Sequence, residues 1–297
     1  MPWHRRSCLR LYVHLNGRIL PEERACVSVF DRGLSYGDGL YETLKAYEGA
    51  PLFLKEHLKR LRAGASFLGF TKRAVMAFEG ELKGGAVEAL LKKNGLARGE
   101  AYVKLMITRG ADKASHLPTK GITPTFIIIA KPLDTSVLAR ARSKGVEAVF
   151  VDDMAPALPG VKSLNYLASV IAKIRADRKK AYEAIFVREG FITEGTSSNI
   201  FMVKNGKILT PPLEKNPSKG VLAGVTRDRV MKIAVKNGIP LKEARIRPSD
   251  MAGADEAFIT NSITDAVPLI KTGGKAVGDG RPGPVTRQIQ TLLSYRP

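Results

Sequence analysis

The sequence is poor in cysteine and has no long apolar run. Its two cysteines, Cys8 and Cys26, are too few for a disulfide framework, and neither lies in a C-x-x-C or His-rich arrangement that holds zinc. The longest apolar run, from Phe126 to Ala130, is far too short to cross a bilayer. The N-terminal segment lacks the apolar core of a signal peptide. We therefore expect a cytoplasmic protein without structural disulfides, metal or membrane segments.

Acidic residues are also scarce relative to basic ones, and the formal net charge is +20 at pH 7. A strongly basic protein can bind nucleic acid, which makes this class one hypothesis. The lysines and arginines are scattered, however, and no basic tail or RNA-binding signature is present. Interspersed charge usually solvates a surface, and its field also gathers anionic substrates such as phosphates and carboxylates. Nucleic-acid binding is therefore the weaker hypothesis.

Length and composition are those of a globular protein that is large enough for two domains. Hydrophobic residues make up 44% of the 297 positions and charged residues 26%, the balance of a folded protein. No internal repeat or low-complexity tract is present. We expect a small N-terminal α/β domain at residues 1–130, an interdomain linker at 131–137 and a larger C-terminal domain at 138–297.

Hydrophobic periodicity and turn signals predict the elements of both domains. The predicted strands cover 11–15, 27–30, 40–47, 101–108, 125–129, 145–151, 183–187, 199–203, 207–209 and 256–260. The predicted helices cover 53–68, 86–93, 164–176 and 225–237. Lys204-Asn205-Gly206 is a strong hairpin signal between two of the strands.

Lys162 and Glu194 are the two residues whose types suggest a particular chemistry. Lys162 has apolar neighbours, and a lysine in such surroundings can act as an amine nucleophile. Glu194 offers a carboxylate that can pair with a protonated pyridine nitrogen. Together they suggest a pyridoxal phosphate site. Taken alone, a lysine such as Lys162 is more often a surface residue, and Glu194 fits an ordinary loop carboxylate beside a turn glycine.

A phosphate group needs a cradle of donors, and two segments offer one. Gly224, Val225 and Thr226 open a predicted helix, and the free N–H groups and dipole of a helix N-terminus favour an anion. Arg60, on the helix predicted at 53–68, offers a bidentate phosphate donor. A glycine before a helix is more often punctuation and an isolated helix arginine is usually solvated, so these residues gain meaning only as a set.

In this order along the chain, the motifs resemble those of the class IV, fold-type IV pyridoxal phosphate aminotransferases. The matching segments cover nearly the whole chain: 29–43, His57-x-x-Arg60-Leu61, 161–167, Glu194-Gly195-x-x-Ser198-Asn199, 224–227 and 280–286. The family includes branched-chain aminotransferases, D-amino acid aminotransferases and aminodeoxychorismate lyases. The resemblance implies a two-domain α/β (α+β) fold, whose larger domain has a β-barrel-like core and flanking helices.

The resemblance also implies a role for each candidate site residue. Lys162 would be the catalytic residue, which carries pyridoxal 5′-phosphate on its amine and moves the substrate proton as base and acid in turn. Glu194 would pair with the ring nitrogen, and Tyr166 with the phenolic oxygen. The residues implied in phosphate binding are Arg60, Val225, Thr226 and Ser262. The residues implied in substrate binding are Tyr36, Tyr41, Tyr102, Lys104 and His116.

The segment from Tyr102 to His116 bears on the substrate. D-amino acid enzymes carry an arginine four residues and a histidine six residues past the glycine that is Gly110 here; this chain has Ala114 and His116. That weakens the D-specific hypothesis, and the Gly-rich Arg-Gly-Tyr loop of many lyases is absent. Branched-chain enzymes commonly have Tyr-x-Arg where this chain ends the tripeptide with Lys104, which keeps the charge and loses the fork geometry. Lys104 also resembles a lysine of the lyase pattern, and Asn261-Ser262-Ile263 departs from the branched-chain Gly-Thr-Ala.

We therefore expect ping-pong transamination between a branched-chain or related hydrophobic L-amino acid and a 2-oxo acid such as 2-oxoglutarate, as in branched-chain amino acid biosynthesis. Two alternatives keep the fold and the cofactor: a D-amino acid aminotransferase, and a lyase that releases 4-aminobenzoate and pyruvate. The basic nucleic-acid-binding protein remains the alternative from another class. The resemblance also implies a homodimer in which each site is completed by a loop of the neighbour.

Overall fold

The computed structural model describes residues 10–113 and 116–294, and the chain divides into two compact units. The first unit ends at Leu133 and the second begins at Asp134. The segment expected as a linker, 131–137, begins in the last strand of the first unit and ends in the first helix of the second. Only Leu133 and Asp134 lie between that strand and that helix. Among the described residues, no helix combines the length and apolar character that a membrane span requires.

Within its described part, the first unit is an antiparallel sheet with helices packed on one face. Its strands are β1 (Tyr12–Leu15), β2 (Arg18–Pro21), β3 (Gly39–Tyr47), β4 (Ala50–Pro51), β5 (Glu100–Thr108) and β6 (Thr125–Pro132). Their order is β2-β1-β6-β5-β3-β4. The helices are α1 (Arg32–Tyr36), α2 (Leu54–Phe67), α3 (Lys72–Lys83) and α4 (Ala86–Lys93).

Alternation along β5 gives the two faces of this sheet different environments. Val103, Leu105 and Ile107 are fully buried, whereas the residues between them are half-buried. The buried face carries the helices, because α2 contacts β3 and α4 contacts β6. Tyr102 and Lys104, two of the candidate substrate-binding residues, lie on the half-buried face.

The second unit contains a larger mixed sheet flanked by helices. Its strands are β7 (Val146–Val151), β8 (Glu183–Arg188), β9 (Phe191–Gly195), β10 (Asn199–Lys204), β11 (Lys207–Thr210), β12 (Leu241–Glu243), β13 (Glu256–Asn261), β14 (Asp265–Thr272) and β15 (Lys275–Ala276). Their order is β12-β11-β10-β13-β14-β7-β8-β9, with β15 beside β14. The helices are α5 (Thr135–Lys144), α6 (Leu167–Arg178), α7 (Val225–Lys236), α8 (Pro248–Ala252) and α9 (Pro284–Leu293).

This sheet curls on itself, which confirms the barrel-like core that the family resemblance implies. Strands β9 and β10 are far apart in the strand order, yet they contact each other and share one apolar cluster. Ile200 and Met202 of β10 point into that cluster, while Phe201 between them packs on the other side against residues of α7 and α9. Phe201 stacks on Phe258 with ring centroids 4.8 Å apart.

Two local predictions were wrong. The strand predicted at 27–30 does not form, and Val29 and Phe30 are exposed just before α1, where the Asp31 carboxylate accepts from the Gly33 N–H at 2.8 Å and caps the helix. The helix predicted from 164 begins only at Leu167, because backbone hydrogen bonds from Val161 and Ser163 hold the preceding segment in an irregular conformation.

Candidate active site

Lys162 lies in the second unit, in the irregular segment between β7 and α6. Its side chain is half-buried, and its neighbours Val161 and Ser163 are buried. The Val161 N–H donates to the Leu158 carbonyl at 3.1 Å, and the Ser163 N–H donates to the Val161 carbonyl at 2.8 Å. Buried neighbours and local hydrogen bonds therefore fix the backbone from which the amine projects.

Glu194 lies near the end of β9, at an irregularity of the sheet. The register pairs Val187 with Ile192 and Ile185 with Gly195, so β9 carries one more residue than β8 in this interval. Such a bulge re-aims the side chains beside it. The Glu194 side chain is only 8% exposed, and its Oε2 accepts from the Leu222 N–H at 2.9 Å. The result is a buried carboxylate held in one orientation.

Tyr166 is brought to the turn that follows Glu194. Its hydroxyl donates to the carbonyl oxygen of Thr196, a residue 30 positions further along the chain. Thr196 is two residues from Glu194, so the proposed partners of the ring nitrogen and of the phenolic oxygen lie on one connected piece of structure.

The start of α7 is attached to the same piece of structure through Leu222, a residue that the sequence did not single out. Its N–H donates to Glu194, and its carbonyl accepts from the Asn199 side chain at 2.9 Å. A Cβ on Gly224 would overlap Asn199 Oδ1, so only glycine permits this close approach. No side chain caps α7, and Val225 in its first turn is buried.

Thr226 and Ser262 are the other candidate phosphate ligands of this unit. Thr226 is buried in the first turn of α7. Ser262 is half-buried in the turn between β13 and β14, beside Asn261, whose side-chain oxygen accepts from the N–H groups of Ile263 and Thr264. Both residues therefore lie on ordered backbone.

Arg60, the phosphate candidate of the first unit, is neither solvated nor isolated. Its Nε donates to Glu42 Oε1 at 2.9 Å and its Nη2 donates to Glu42 Oε2 at 2.6 Å. His57 Nδ1 lies 2.7 Å from the same carboxylate, which is fully buried. Burial opposes ionisation of Glu42, but the Arg60 charge and the hydrogen bonds from Arg60 and His57 outweigh it and lower its pKa to about 2.

Three of the substrate candidates share the half-buried face of the first sheet. The register places Thr43 opposite Lys104 and Tyr41 opposite Met106, so Tyr41, Tyr102 and Lys104 lie on one side. Lys104 Nζ lies 4.8 Å from the centre of the Tyr41 ring. Burial lowers the pKa of Lys104, and the nearby positive charge of Lys131 lowers it further. This face therefore presents a cation among aromatic rings.

The other two substrate candidates, Tyr36 and His116, also meet, with ring centroids 5.8 Å apart. Arg32 joins them: its guanidinium lies 4.7 Å from the Tyr36 ring centre, and its Nη2 donates to the His116 carbonyl at 2.7 Å. Arg32 is itself buried and paired with Asp38 at 3.0 Å. Ala114 of the same loop lies outside the described residues.

Comparison with known proteins shows the family to which this chain belongs. Residues 39–271 match the model of the family described as amino-transferase class IV. The chain is a class IV aminotransferase. It is 38% identical over 286 residues to a putative branched-chain-amino-acid aminotransferase of Methanocaldococcus jannaschii, with 94% of this chain and 93% of the relative covered. It is 34% identical over 282 residues to a D-alanine aminotransferase of Bacillus licheniformis, with 95% of each chain covered.

Solved structures agree with this family. The branched-chain amino acid aminotransferase of Escherichia coli superposes with a TM-score of 0.81 at 29% identity, over 95% of this chain and 92% of that one. The branched-chain aminotransferase of the thermophilic archaeon Thermoproteus uzoniensis, with norvaline, gives a TM-score of 0.79 at 29% identity, over 95% and 93% of the two chains. The fold of this class IV aminotransferase is therefore the fold-type IV architecture expected from the motifs.

Class IV aminotransferases use pyridoxal phosphate, and the second unit has the donor set that this group requires. Glu194 is a buried carboxylate suited to a protonated ring nitrogen, and Lys162 supplies an amine. The first turn of α7 has no side-chain cap, and the N–H groups of such a turn favour an anion. When bound, the cofactor supplies an electron sink for the charge that develops at the substrate Cα.

Proposed function

We propose that this class IV aminotransferase moves the amino group of branched-chain or related hydrophobic L-amino acids to 2-oxoglutarate by ping-pong turnover, as a cytoplasmic enzyme of branched-chain amino acid biosynthesis. The observation that carries the proposal is the position of Lys104 over the Tyr41 ring, on the same face as Tyr102. A half-buried cation among aromatic rings accepts the second carboxylate of glutamate, while the rings accept an aliphatic side chain.

We assign the remaining roles as follows. Lys162 takes the proton from the substrate Cα as a base and, as an acid, would deliver it to the C4′ carbon of the bound cofactor. Glu194 keeps the ring nitrogen protonated, and Tyr166 orients the phenolic oxygen. The phosphate ligands in this proposal are Arg60, Val225, Thr226 and Ser262. The proposed contacts of the substrate are Tyr36, Tyr41, Tyr102, Lys104 and His116.

We also propose that the enzyme is a homodimer with shared active sites. The support in the second unit is an exposed apolar stripe on α6, formed by Leu167, Val170, Ile171 and Ile174, which are between 36% and 66% exposed. These residues follow helical spacing and therefore share one face. A contiguous apolar face of this kind marks a protein interface, and a second copy of the chain is the partner that the proposal names.

A D-amino acid aminotransferase is the second candidate function. The approach of the Tyr36 and His116 rings to 5.8 Å supports it, because a tyrosine and a histidine can together grip a substrate carboxylate. The relatives at 33–35% identity named D-alanine aminotransferase are consistent with it. Against it stands alanine at position 114.

The test begins with the chromophore of the purified protein. We expect a yellow protein, and we expect Lys162→Ala to lose the bound-cofactor absorption band. L-leucine, D-alanine and aminodeoxychorismate are then offered separately while the cofactor spectrum is followed. Rapid conversion to the aminated form by L-leucine supports the proposal; conversion by D-alanine and not L-leucine overturns it in favour of the second candidate, and consumption of aminodeoxychorismate alone favours the lyase.

A variant of Lys104 tests the substrate pocket itself. Lys104→Met is expected to raise KM for 2-oxoglutarate about tenfold, because it removes a charge-assisted hydrogen bond, and to leave KM for L-leucine nearly unchanged. Lys72→Met, at an exposed position of α3, is the matched control. Equal changes in KM for the two substrates in Lys104→Met would contradict the proposed contact between Lys104 and the second carboxylate.

A further inference from the structure

Glu183, the first residue of β8, is a buried carboxylate that accepts hydrogen bonds from the turn directly after Glu194. It is 1% exposed. Its Oε1 accepts from the backbone N–H groups of Ala184 at 3.0 Å and Thr196 at 3.2 Å, and also from the Thr196 hydroxyl. Its Oε2 accepts from the Ser198 hydroxyl at 2.8 Å. One carboxylate therefore holds both ends of the turn 196–198.

No cation stands among these partners of Glu183 within the described part of the chain. A buried carboxylate without a cation carries a desolvation cost that only well-made hydrogen bonds offset. A neutral side chain of similar size would avoid that cost. A carboxylate at position 183 is therefore best explained by its ability to accept several hydrogen bonds at once, which a neutral side chain cannot match.

The turn that Glu183 holds is connected to both ring-binding candidates. The Thr196 carbonyl accepts the hydroxyl hydrogen of Tyr166. Gly195, directly after Glu194, donates its N–H to the Ser198 carbonyl at 2.7 Å. Any displacement of the turn therefore moves the acceptor of Tyr166 and the backbone beside Glu194 together.

No side chain fits at position 195, because Ser198 Oγ and the Glu183 carboxylate lie too close to Gly195. A Cβ at this position would overlap Ser198 Oγ and lie 2.9 Å from Glu183 Oε2. The glycine, the two hydroxyl residues and Glu183 thus form one interlocked arrangement. It explains why a glycine follows the glutamate in Glu194-Gly195.

We propose that Glu183 is a positioning residue, which fixes the turn 195–198 so that the Glu194 carboxylate and the Tyr166 hydroxyl stand where they meet the cofactor ring. The inference rests on the roles proposed above for Glu194 and Tyr166. Glu183 itself acts through the turn and not by contact with the ring. Its effect is therefore expected on the ring nitrogen and on cofactor affinity.

The test uses Glu183→Gln, which keeps the size of the side chain and replaces one acceptor oxygen by an NH₂ donor. Apoprotein is titrated with pyridoxal phosphate, and the holoenzyme is prepared with cofactor labelled with ¹⁵N in the ring. We expect affinity to fall about tenfold and the ¹⁵N signal to move towards the unprotonated position. Glu189→Gln, at an exposed position of the β8–β9 turn, is the matched control and is expected to change neither.

Two further measurements keep the outcomes separate. If Glu183→Gln lowers the thermal stability of the apoprotein so far that it does not fold, Thr196→Val and Ser198→Ala replace it, each removing one donor to the carboxylate. Wild-type affinity and ¹⁵N position in a folded Glu183→Gln protein, or in both replacements, overturn the inference. Glu194→Gln must move the ¹⁵N signal in the same experiment; if it does not, the proposed role of Glu194 fails and the inference falls with it.

Discussion

At the scale of single residues, Glu42 illustrates how burial and pairing set a charge. It is fully buried, and Arg60 and His57 both contact its carboxylate. Removing one partner of a buried pair leaves the other uncompensated, which typically costs about 3–5 kcal/mol. Glu42 therefore holds the side chain of Arg60 in a single orientation.

This pairing predicts the response of the protein to acid. The folded pKa of Glu42 is about 2, below its usual value of 4.5, so the folded state binds this proton less readily than the unfolded state. The stabilisation is complete above the unfolded pKa and is lost as pH falls from about 5 towards 2. We expect Glu42→Gln to lower the free energy of unfolding by about 3 kcal/mol at pH 7 and to reduce the loss of stability on acidification.

Denaturant unfolding of the apoprotein between pH 7 and pH 3 measures both effects. Glu88→Gln, at an exposed position of α4, is the control and should follow the wild-type curve. Wild-type and Glu42→Gln curves that run parallel across this range would show that Glu42 does not titrate as described.

At the scale of elements, α6 separates two kinds of exposed apolar residue. Its four exposed aliphatic residues share one face, whereas Val235 on α7 is 77% exposed without forming such a stripe with other exposed apolar residues of its helix. A single exposed aliphatic residue is ordinary, but a stripe calls for a partner. The contrast supplies a matched pair of substitutions.

We expect Ile174→Glu to weaken self-association by a factor of about one hundred or more, because it places a charge in an apolar contact. Val235→Glu should leave the association unchanged. Sedimentation velocity over a range of concentrations measures both. An unchanged dimer in Ile174→Glu, or a monomer in the wild type at micromolar concentration, would contradict the role given to α6.

At the scale of the whole molecule, the net charge of +20 acts on every anion that approaches. Such a field raises the rate at which an anionic substrate meets the protein, and salt screens it over about 8–10 Å at physiological ionic strength. L-leucine carries no net charge, whereas 2-oxoglutarate carries two negative charges. With these substrates, which are the ones proposed above, we expect the two half-reactions to respond differently to salt.

We expect kcat/KM for 2-oxoglutarate to fall several-fold between low salt and about 0.5 M salt, and kcat/KM for L-leucine to change little. Stopped-flow measurement of each half-reaction, with the cofactor spectrum as signal, separates the two. A fall of equal size for both substrates would assign the salt effect to stability or ionic conditions and not to steering.

Local patterns predicted many elements closely, and the failures have separate causes. The helix expected at 53–68 spans Leu54–Phe67, and Asn205 and Gly206 both adopt the left-handed conformation that the hairpin signal requires. The strand expected at 27–30 failed because its β-branched and aromatic residues are exposed and the segment leads into a capped helix. Helix α3, at Lys72–Lys83, was missed because its apolar residues are interrupted by charges and by Gly80.

By itself, the sequence determined the family, the cofactor and many of the helices and strands, because hydrophobic periodicity, turn residues and the order of motifs can be read along the chain. The tertiary structure alone decided that Glu42 pairs with Arg60, that Leu222 links Glu194 to the start of α7, and that Glu183 holds the turn beside Glu194. Each of these contacts joins residues that are well separated in the sequence. They depend on strand register and close packing, which no local pattern specifies.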